Sequence, residues 1–124
     1  MKQLNILVTG GAGFIGSHLT DKLLSLGHRV TVLDNLVNGK ENNLKDALEN
    51  KQFTFVKGDI LNKQTCDETT QNIDVIYHLA CLGVRHSLHS PFENHRVNAE
   101  GSLNVLEAAR KNKVKRFFYI STSE

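Results

Sequence analysis

Five short apolar runs recur along the chain, at residues 4–8, 30–33, 53–56, 75–79 and 117–120, each separated from the next by a longer and more polar stretch. Runs so short and so rich in Val, Ile and Phe predict parallel strands buried on both faces. Phe53-Thr54-Phe55 alternates, which places the third strand nearer a sheet edge. Ile15, Leu19, Leu23 and Leu26 recur at helical spacing and predict a helix over 13–26 that ends at Gly27, a residue suited to the left-handed turn after a helix. A shorter helix is predicted over 41–49, after a loop at 35–39 whose Asn38-Gly39 pair signals a turn. Residues 62–70 are polar and hold at most a short helix, and Pro91 marks the start of another. Residues 98–112 form the clearest helix after the first, with Leu103, Leu106 and Ala109 on one face. Strand and helix alternate from end to end, so the expected architecture is α/β, one doubly wound parallel sheet. No repeat, low-complexity tract or Pro/Gly-rich linker divides it, and residues 1–124 read as a single domain.

The first loop carries the strongest chemical signal. Thr9-Gly10-Gly11-Ala12-Gly13-Phe14-Ile15-Gly16 follows directly on the first strand and opens the first helix. A helix N-terminus offers free N–H groups to a pyrophosphate, provided no Cβ holds the phosphate off the backbone. Gly11, Gly13 and Gly16 fit the G-x-G-x-x-G spacing that meets this condition. With a strand before it and a helix after it, the loop reads as a Rossmann-type dinucleotide cradle. Asp34 closes the second strand, where a carboxylate can accept hydrogen bonds from both adenosine ribose hydroxyls and repel a 2′-phosphate. That chemistry favours NAD over NADP, although an aspartate there also suits the capping of a following turn. Gly58-Asp59-Ile60, after the third strand, sets a carboxylate and an apolar side chain where an adenine ring would lie, and is also a common turn sequence.

The 124 residues are 40% hydrophobic and carry a net charge of +2, enough apolar content for one soluble core and too little positive charge to argue for nucleic acid. Arg110, Lys111, Lys113, Lys115 and Arg116 cluster at a predicted helix C-terminus, where cations complement the helix dipole. No stretch is long enough to span a membrane, and no signal-peptide core precedes the glycine turn, so the cytoplasm is the expected location. Cys66 and Cys81 lack C-x-x-C spacing, which suits a reducing compartment. His86, His89 and His95 fit no zinc spacing, with or without His78 or Cys81, and no metal is expected.

Six segments together resemble the extended short-chain dehydrogenases/reductases: T-G-G-A-G-F-I-G, V-L-D-N, G-D-I, H-L-A at 78–80, G-V-R-H-S at 83–87, and N-A-E-G-S-L-N-V-L-E-A-A-R from Asn98. Within that family the chain is similar to the nucleotide-sugar epimerases, dehydratases and decarboxylases, over essentially its whole length. The resemblance implies that Gly10, Gly13, Phe14, Ile15 and Gly16 bind the pyrophosphate, that Asp34 and Asn35 lie near the adenosine ribose, and that Asp59 and Ile60 flank adenine. Leu79, Ala80 and Cys81 would lie against the ribose and nicotinamide side. The family usually has alanine where this chain has Cys81, which reads as a small buried thiol or as a reactive one. Asn98 matches an asparagine that supports the strand beneath the nicotinamide, and it also suits an N-cap for the following helix. Arg85, His86 and Ser87 match a loop facing the substrate, where a diphosphate or sugar would be contacted. Thr122 would orient the substrate's reacting hydroxyl. Glu124, after Ser123, is a candidate base, since related dehydratases carry Asp-Glu there and several decarboxylases Ser-Glu.

The implied function is the NAD-binding part of an enzyme that oxidises the C4 hydroxyl of a UDP-sugar to a transient 4-keto intermediate and returns the hydride to the opposite face. A 4,6-dehydratase and a UDP-glucuronate decarboxylase are alternatives, and a non-catalytic NAD(H)-binding module is the alternative of another class. The family's acid/base is a tyrosine followed four residues later by a lysine, which lowers the phenol's pKa. Tyr77 is followed at that spacing by Cys81 and Tyr119 by Ser123, so the pair does not occur. The sixth strand and C-terminal substrate lobe are missing as well. The chain is therefore expected to be a truncated or proteolysed fragment, inactive alone, with a homodimer implied through a helix pair to which residues 98–110 contribute.

Overall fold

A computed structural model describes residues 2–121. Its strands β1 (Asn5–Thr9), β2 (Arg29–Asp34), β3 (Phe53–Lys57), β4 (Val75–His78) and β5 (Arg116–Tyr119) form one parallel sheet in the order β3-β2-β1-β4-β5. The chain winds outward from β1 to β3 and then crosses back to β4, so the winding direction reverses between β1 and β4. In an open α/β sheet that reversal leaves a crevice at the carboxyl ends of the strands. β3 lies at an edge, as its alternating sequence predicts.

The helices are α1 (Phe14–Ser25), α2 (Lys63–Thr69), α3 (Val84–His89), α4 (Pro91–His95) and α5 (Ser102–Lys111). Successive residues of a strand face opposite sides, and β1 uses both. Ile6 and Val8 pack with Leu23 and Leu24 of α1 on one face, while Leu7 packs with Ile76 and with Val105, Ala108 and Ala109 of α5 on the other. Two cores, one on each face, explain why the strand runs show no polar alternation. α1 stops as expected at Gly27, whose φ of +90° is left-handed. The Gly27 N–H donates to Leu24 O and the His28 N–H to Leu23 O, satisfying carbonyls that the helix itself leaves open. Asn62 caps α2, its side chain accepting from the Thr65 N–H at 3.0 Å, and Pro91 begins α4. Among the described residues no helix is long and apolar enough to cross a membrane.

Several expectations are corrected. The stripe predicted for α1 is rotated: Gly16, Ser17, Thr20, Leu23 and Leu24 are buried, while Ile15 and Leu26 are exposed. The helix predicted over 41–49 is two 3-10 turns, Glu41–Leu44 and Ala47–Glu49. Tertiary bonds override helical propensity there, because the Lys40 N–H and the Asn43 amide both donate to Ala12 O while Leu44 and Ala47 enter the core. The helix predicted over 98–112 begins as α only at Ser102, after a π-helical stretch, Arg96–Gly101. Its buried face is Val105, Ala108 and Ala109, and Leu103 and Leu106 point outward. The helix carries two apolar stripes, and the sheet takes the one whose small residues allow closer approach.

Candidate functional site

A cleft of about 500 Å³ opens at the carboxyl edge of the sheet, where β1 and β4 part. Residues that follow or close all five strands line it: Gly10, Gly13, Phe14, Ile15 and Gly16 after β1, Asp34 and Asn35 at the end of β2, and Gly58, Asp59 and Ile60 after β3. Leu79, Ala80 and Cys81 after β4 and Ile120 and Ser121 after β5 complete the ring. Segments that are remote in sequence, each expected from the sequence at a dinucleotide site, thus converge on one cleft.

Gly10, Gly13 and Gly16 of the turn are there for different physical reasons. At Gly10, φ is +72°, and an added Cβ would stand 2.7 Å from Ala80 N, so both conformation and space require glycine. At Gly16 a Cβ would collide with the Gly10 carbonyl oxygen and lie 2.8 Å from Gly11 Cα, backbone against backbone where α1 crosses the turn. Gly13 is different. It has an ordinary extended backbone (φ −77°, ψ 179°), and the nearest atom a Cβ would meet is Gly10 O at 3.3 Å. It lines the cleft at the head of α1, which has no side-chain cap and no acidic residue in its first turn. The first N–H groups of α1 therefore lack side-chain partners on the cleft side, as an anion site requires.

Asp34 is buried, and its carboxylate accepts from the Ala12 N–H at 3.0 Å and the Leu36 N–H at 2.8 Å. It ties the glycine turn to the loop after β2 and holds Leu36 at a left-handed φ of 64°. Asn35 accepts from the Val37 N–H, and Asp59 from the Leu61 N–H, each as the acceptor of a local turn. Ile60 is mostly buried, packed on Gly101, while Asn104 donates to its carbonyl at 3.0 Å. The Cys66 thiol donates to that same carbonyl, and burial, with the Asp59 carboxylate adding to it, pushes the thiol's pKa up to about 11.

Cys81 is exposed at the rim, which corrects the expectation of a buried thiol. Its neighbour Leu82 takes the buried position instead. Asn98 clamps Leu82, accepting from its N–H at 2.8 Å and donating to its carbonyl at 2.9 Å. Asn98 lies inside the π-helical stretch, so it caps no helix. The segment at 85–87, expected as a loop, is helical in α3 because Gly83 starts a helix whose first turn accepts the His86 and Ser87 N–H groups. Arg85 and Ser87 are not among the lining residues of the cleft, and His86 pairs with Glu93 at 2.6 Å. Thr122 and Glu124 lie outside the described residues, as does Ser123.

Sequence reasoning missed Val37, Asn38 and Gly39, which also line the cleft. A Cβ on Gly39 would stand 2.9 Å from Asp34 Oδ2, so the loop crosses tightly over the carboxylate. The Asn38-Gly39 turn signal was visible, but its destination was not. Also missed was His78, fully buried at the end of β4 with Nδ1 2.6 Å from Thr9 Oγ1 and Nε2 2.8 Å from Ser102 Oγ. Burial lowers its pKa to about 4. An unfolded histidine titrates near 6.5, so between these values the unfolded state holds the extra proton, and the stability present above about pH 6.5 falls as pH drops towards 4. Urea unfolding across that window is expected to show a loss of roughly 3 kcal/mol from this group. His78→Asn should flatten most of that slope.

Residues 6–124 match the NAD dependent epimerase/dehydratase family. UDP-glucuronic acid decarboxylase 1 of Arabidopsis thaliana is 40% identical over 124 residues, which is 99% of this chain and 27% of that protein. Among solved structures, the UDP-N-acetylglucosamine 4-epimerase of Methanobrevibacter ruminantium M1, in complex with UDP-N-acetylmuramic acid, gives a TM-score of 0.91 at 35% identity, covering 99% of this chain and 39% of that one. The Thermus thermophilus UDP-glucose 4-epimerase in complex with NAD gives 0.81 at 37% identity, covering 92% of this chain and 36% of that one. The chain thus spans between 27% and 39% of the length of these proteins.

Proposed function

The chain belongs to the NAD-dependent epimerase/dehydratase family, and from that premise we propose that its cleft binds NAD and that the protein epimerises a UDP-sugar at C4. The observation that carries the cofactor assignment is Gly13, a glycine that neither its backbone nor its neighbours require and that leaves the start of α1 open on the cleft side. Gly10, Gly13, Phe14, Ile15 and Gly16 would hold the pyrophosphate, Asp34 and Asn35 the adenosine ribose, and Asp59 and Ile60 the adenine. Leu79, Ala80 and Cys81 would line the nicotinamide side, backed by Asn98 through Leu82. When bound, NAD supplies a hydride acceptor for the sugar's C4.

This chain's own contribution is binding and orientation. The N–H groups at the head of α1 neutralise phosphate charge, and the apolar walls at Ile60, Leu79 and Ala80 exclude water from the ring faces. Thr122 would hold the reacting C4 hydroxyl. The proton leaving that hydroxyl goes, in the family, to a tyrosine that these 124 residues do not supply, so turnover calls for more chain than this. The outward-facing Leu103 and Leu106 of α5 support a homodimer through that helix.

A second reading, decarboxylation of a UDP-uronic acid, is favoured by Ser123-Glu124 and by the 40% identity to a plant decarboxylase. Incubating the full-length protein and NAD with UDP-glucose and, separately, UDP-glucuronate decides between them. A change of configuration at C4 supports epimerisation, and release of CO₂ overturns it in favour of the second reading. Binding of NAD with neither product would leave a non-catalytic module.

Asp34→Asn should weaken NAD⁺ roughly tenfold, the cost of losing one charge-assisted acceptor, and narrow the preference over NADP⁺ by removing the charge that repels a 2′-phosphate. Calorimetric titration with both nucleotides checks this. An unchanged preference would mean that Asp34 only braces the turn.

A further inference from the structure

The hydroxyl of Thr9 sits at the centre of a hydrogen-bond chain that joins the ends of β1 and β4 and the start of α5 to the cleft. It is fully buried at the end of β1, and both the Leu79 N–H (3.1 Å) and the Ala80 N–H (3.2 Å) donate to its oxygen, the Leu79 N–H being shared with the Thr9 carbonyl oxygen, also at 3.1 Å. A hydroxyl has two lone pairs and one proton. With both lone pairs taken, the proton must go to His78 Nδ1 at 2.6 Å, which makes Nδ1 an acceptor and places the ring's own hydrogen on Nε2, where it donates to Ser102 Oγ of α5 at 2.8 Å. The tautomer of His78 therefore follows from counting donors and acceptors. Leu79 and Ala80 both line the cleft, and the Ala80 backbone stands against Gly10, leaving no room there for a Cβ. The two amides held by Thr9 thus set how closely the β4 side of the cleft approaches the glycine turn.

We propose that His78 is a positioning residue for the dinucleotide site: by accepting the Thr9 proton it turns the Thr9 oxygen toward the Leu79 and Ala80 amides, and so holds the nicotinamide-side wall in its binding position. This rests on the assignment of the cleft to NAD. A ring carrying a second proton would present three donors to an oxygen with two lone pairs; the Leu79 amide would keep the Thr9 carbonyl, and the Ala80 amide would lose its partner. Neither residue touches the ligand, and both act through the Leu79–Ala80 backbone.

Two variants of the chain separate this role from simple core filling. In His78→Asn the side-chain carbonyl reaches the place of Nδ1 and can accept from Thr9, without reaching Ser102. In His78→Gln the amide reaches toward Ser102 and leaves Thr9 without its acceptor. Amide hydrogen exchange at Ala80, measured without nucleotide, and the NAD⁺ dissociation constant, measured by calorimetry, are the two readouts, because the Leu79 amide keeps the Thr9 carbonyl in either variant. His78→Asn is expected to stay within about threefold of the parent in both, and His78→Gln to lose roughly tenfold in protection and in affinity, the cost of an unpaired buried group. Equal losses in the two variants, or parental behaviour in His78→Gln, overturn the positioning role. A parent chain that protects the Ala80 amide yet fails to bind NAD⁺ overturns the assignment of the cleft instead, and the exchange comparison still decides whether His78 governs the wall.

Discussion

Gly13→Val is expected to abolish NAD⁺ binding, weakening it by roughly a hundredfold or more, while leaving the protein folded. The backbone at Gly13 is extended, with φ −77° and ψ 179°, a conformation open to any residue. An added Cβ would approach only Gly10 O, at 3.3 Å, a contact that a small shift relieves. Valine is a poor N-cap where glycine is tolerated, and the folding cost is about 1 kcal/mol at most. On the cleft side, though, the new side chain would stand over the first N–H groups of α1, where the pyrophosphate must come to backbone contact. Circular dichroism melting should show a near-parental transition, and calorimetry no heat with NAD⁺. Retention of binding by this variant would mean that the cradle assignment is wrong.

Gly16→Val should behave in the opposite manner and lose the fold itself. Its Cβ would overlap the Gly10 carbonyl oxygen and lie 2.8 Å from Gly11 Cα and 3.0 Å from the Gly10 carbonyl carbon. All three are backbone atoms, so no rotamer change relieves the clash, and α1 must lift off the turn. α1 brings Leu23 and Leu24 to one face of the sheet, and lifting it opens that core. The cost is roughly 3 kcal/mol or more, a large share of the stability of a domain this size. The urea midpoint should fall sharply or the cooperative transition disappear, with NAD⁺ binding lost as a result. The two glycines, three residues apart in one motif, would then separate a functional requirement from a folding one.

Much of the lining of the candidate site was legible because its signals are local. The glycine turn, the aspartate closing β2 and the Gly58-Asp59-Ile60 segment each sit a fixed number of residues past an apolar run, and a parallel sheet brings the ends of all such runs to one edge. What was not legible rests on contacts between distant segments. Thr9 and His78 meet 69 residues apart, and nothing in either neighbourhood marks them as partners. Asn98 looked like a cap because a helix was expected to begin there, whereas Leu82, 16 residues earlier, claims its amide. Leu103 and Leu106 looked like a core face because leucine at helical spacing usually is one. The sheet instead accepted Val105, Ala108 and Ala109, and this depends on how closely α5 can approach.

The sequence by itself therefore determined the strand-and-helix alternation, the parallel sheet, and the glycine turn and second-strand aspartate that meet at one cleft, since hydrophobic periodicity and glycine placement act within a few residues of where they are read. Only the tertiary structure decided that residues 41–49 become 3-10 turns held to Ala12, that 85–87 form a helix outside the cleft lining, that Cys81 is exposed, and that His78 is held neutral between Thr9 and Ser102. Each of these outcomes was set by competition for a hydrogen-bond partner or for close-packed space from another part of the chain, and that competition exists only once the segments have met.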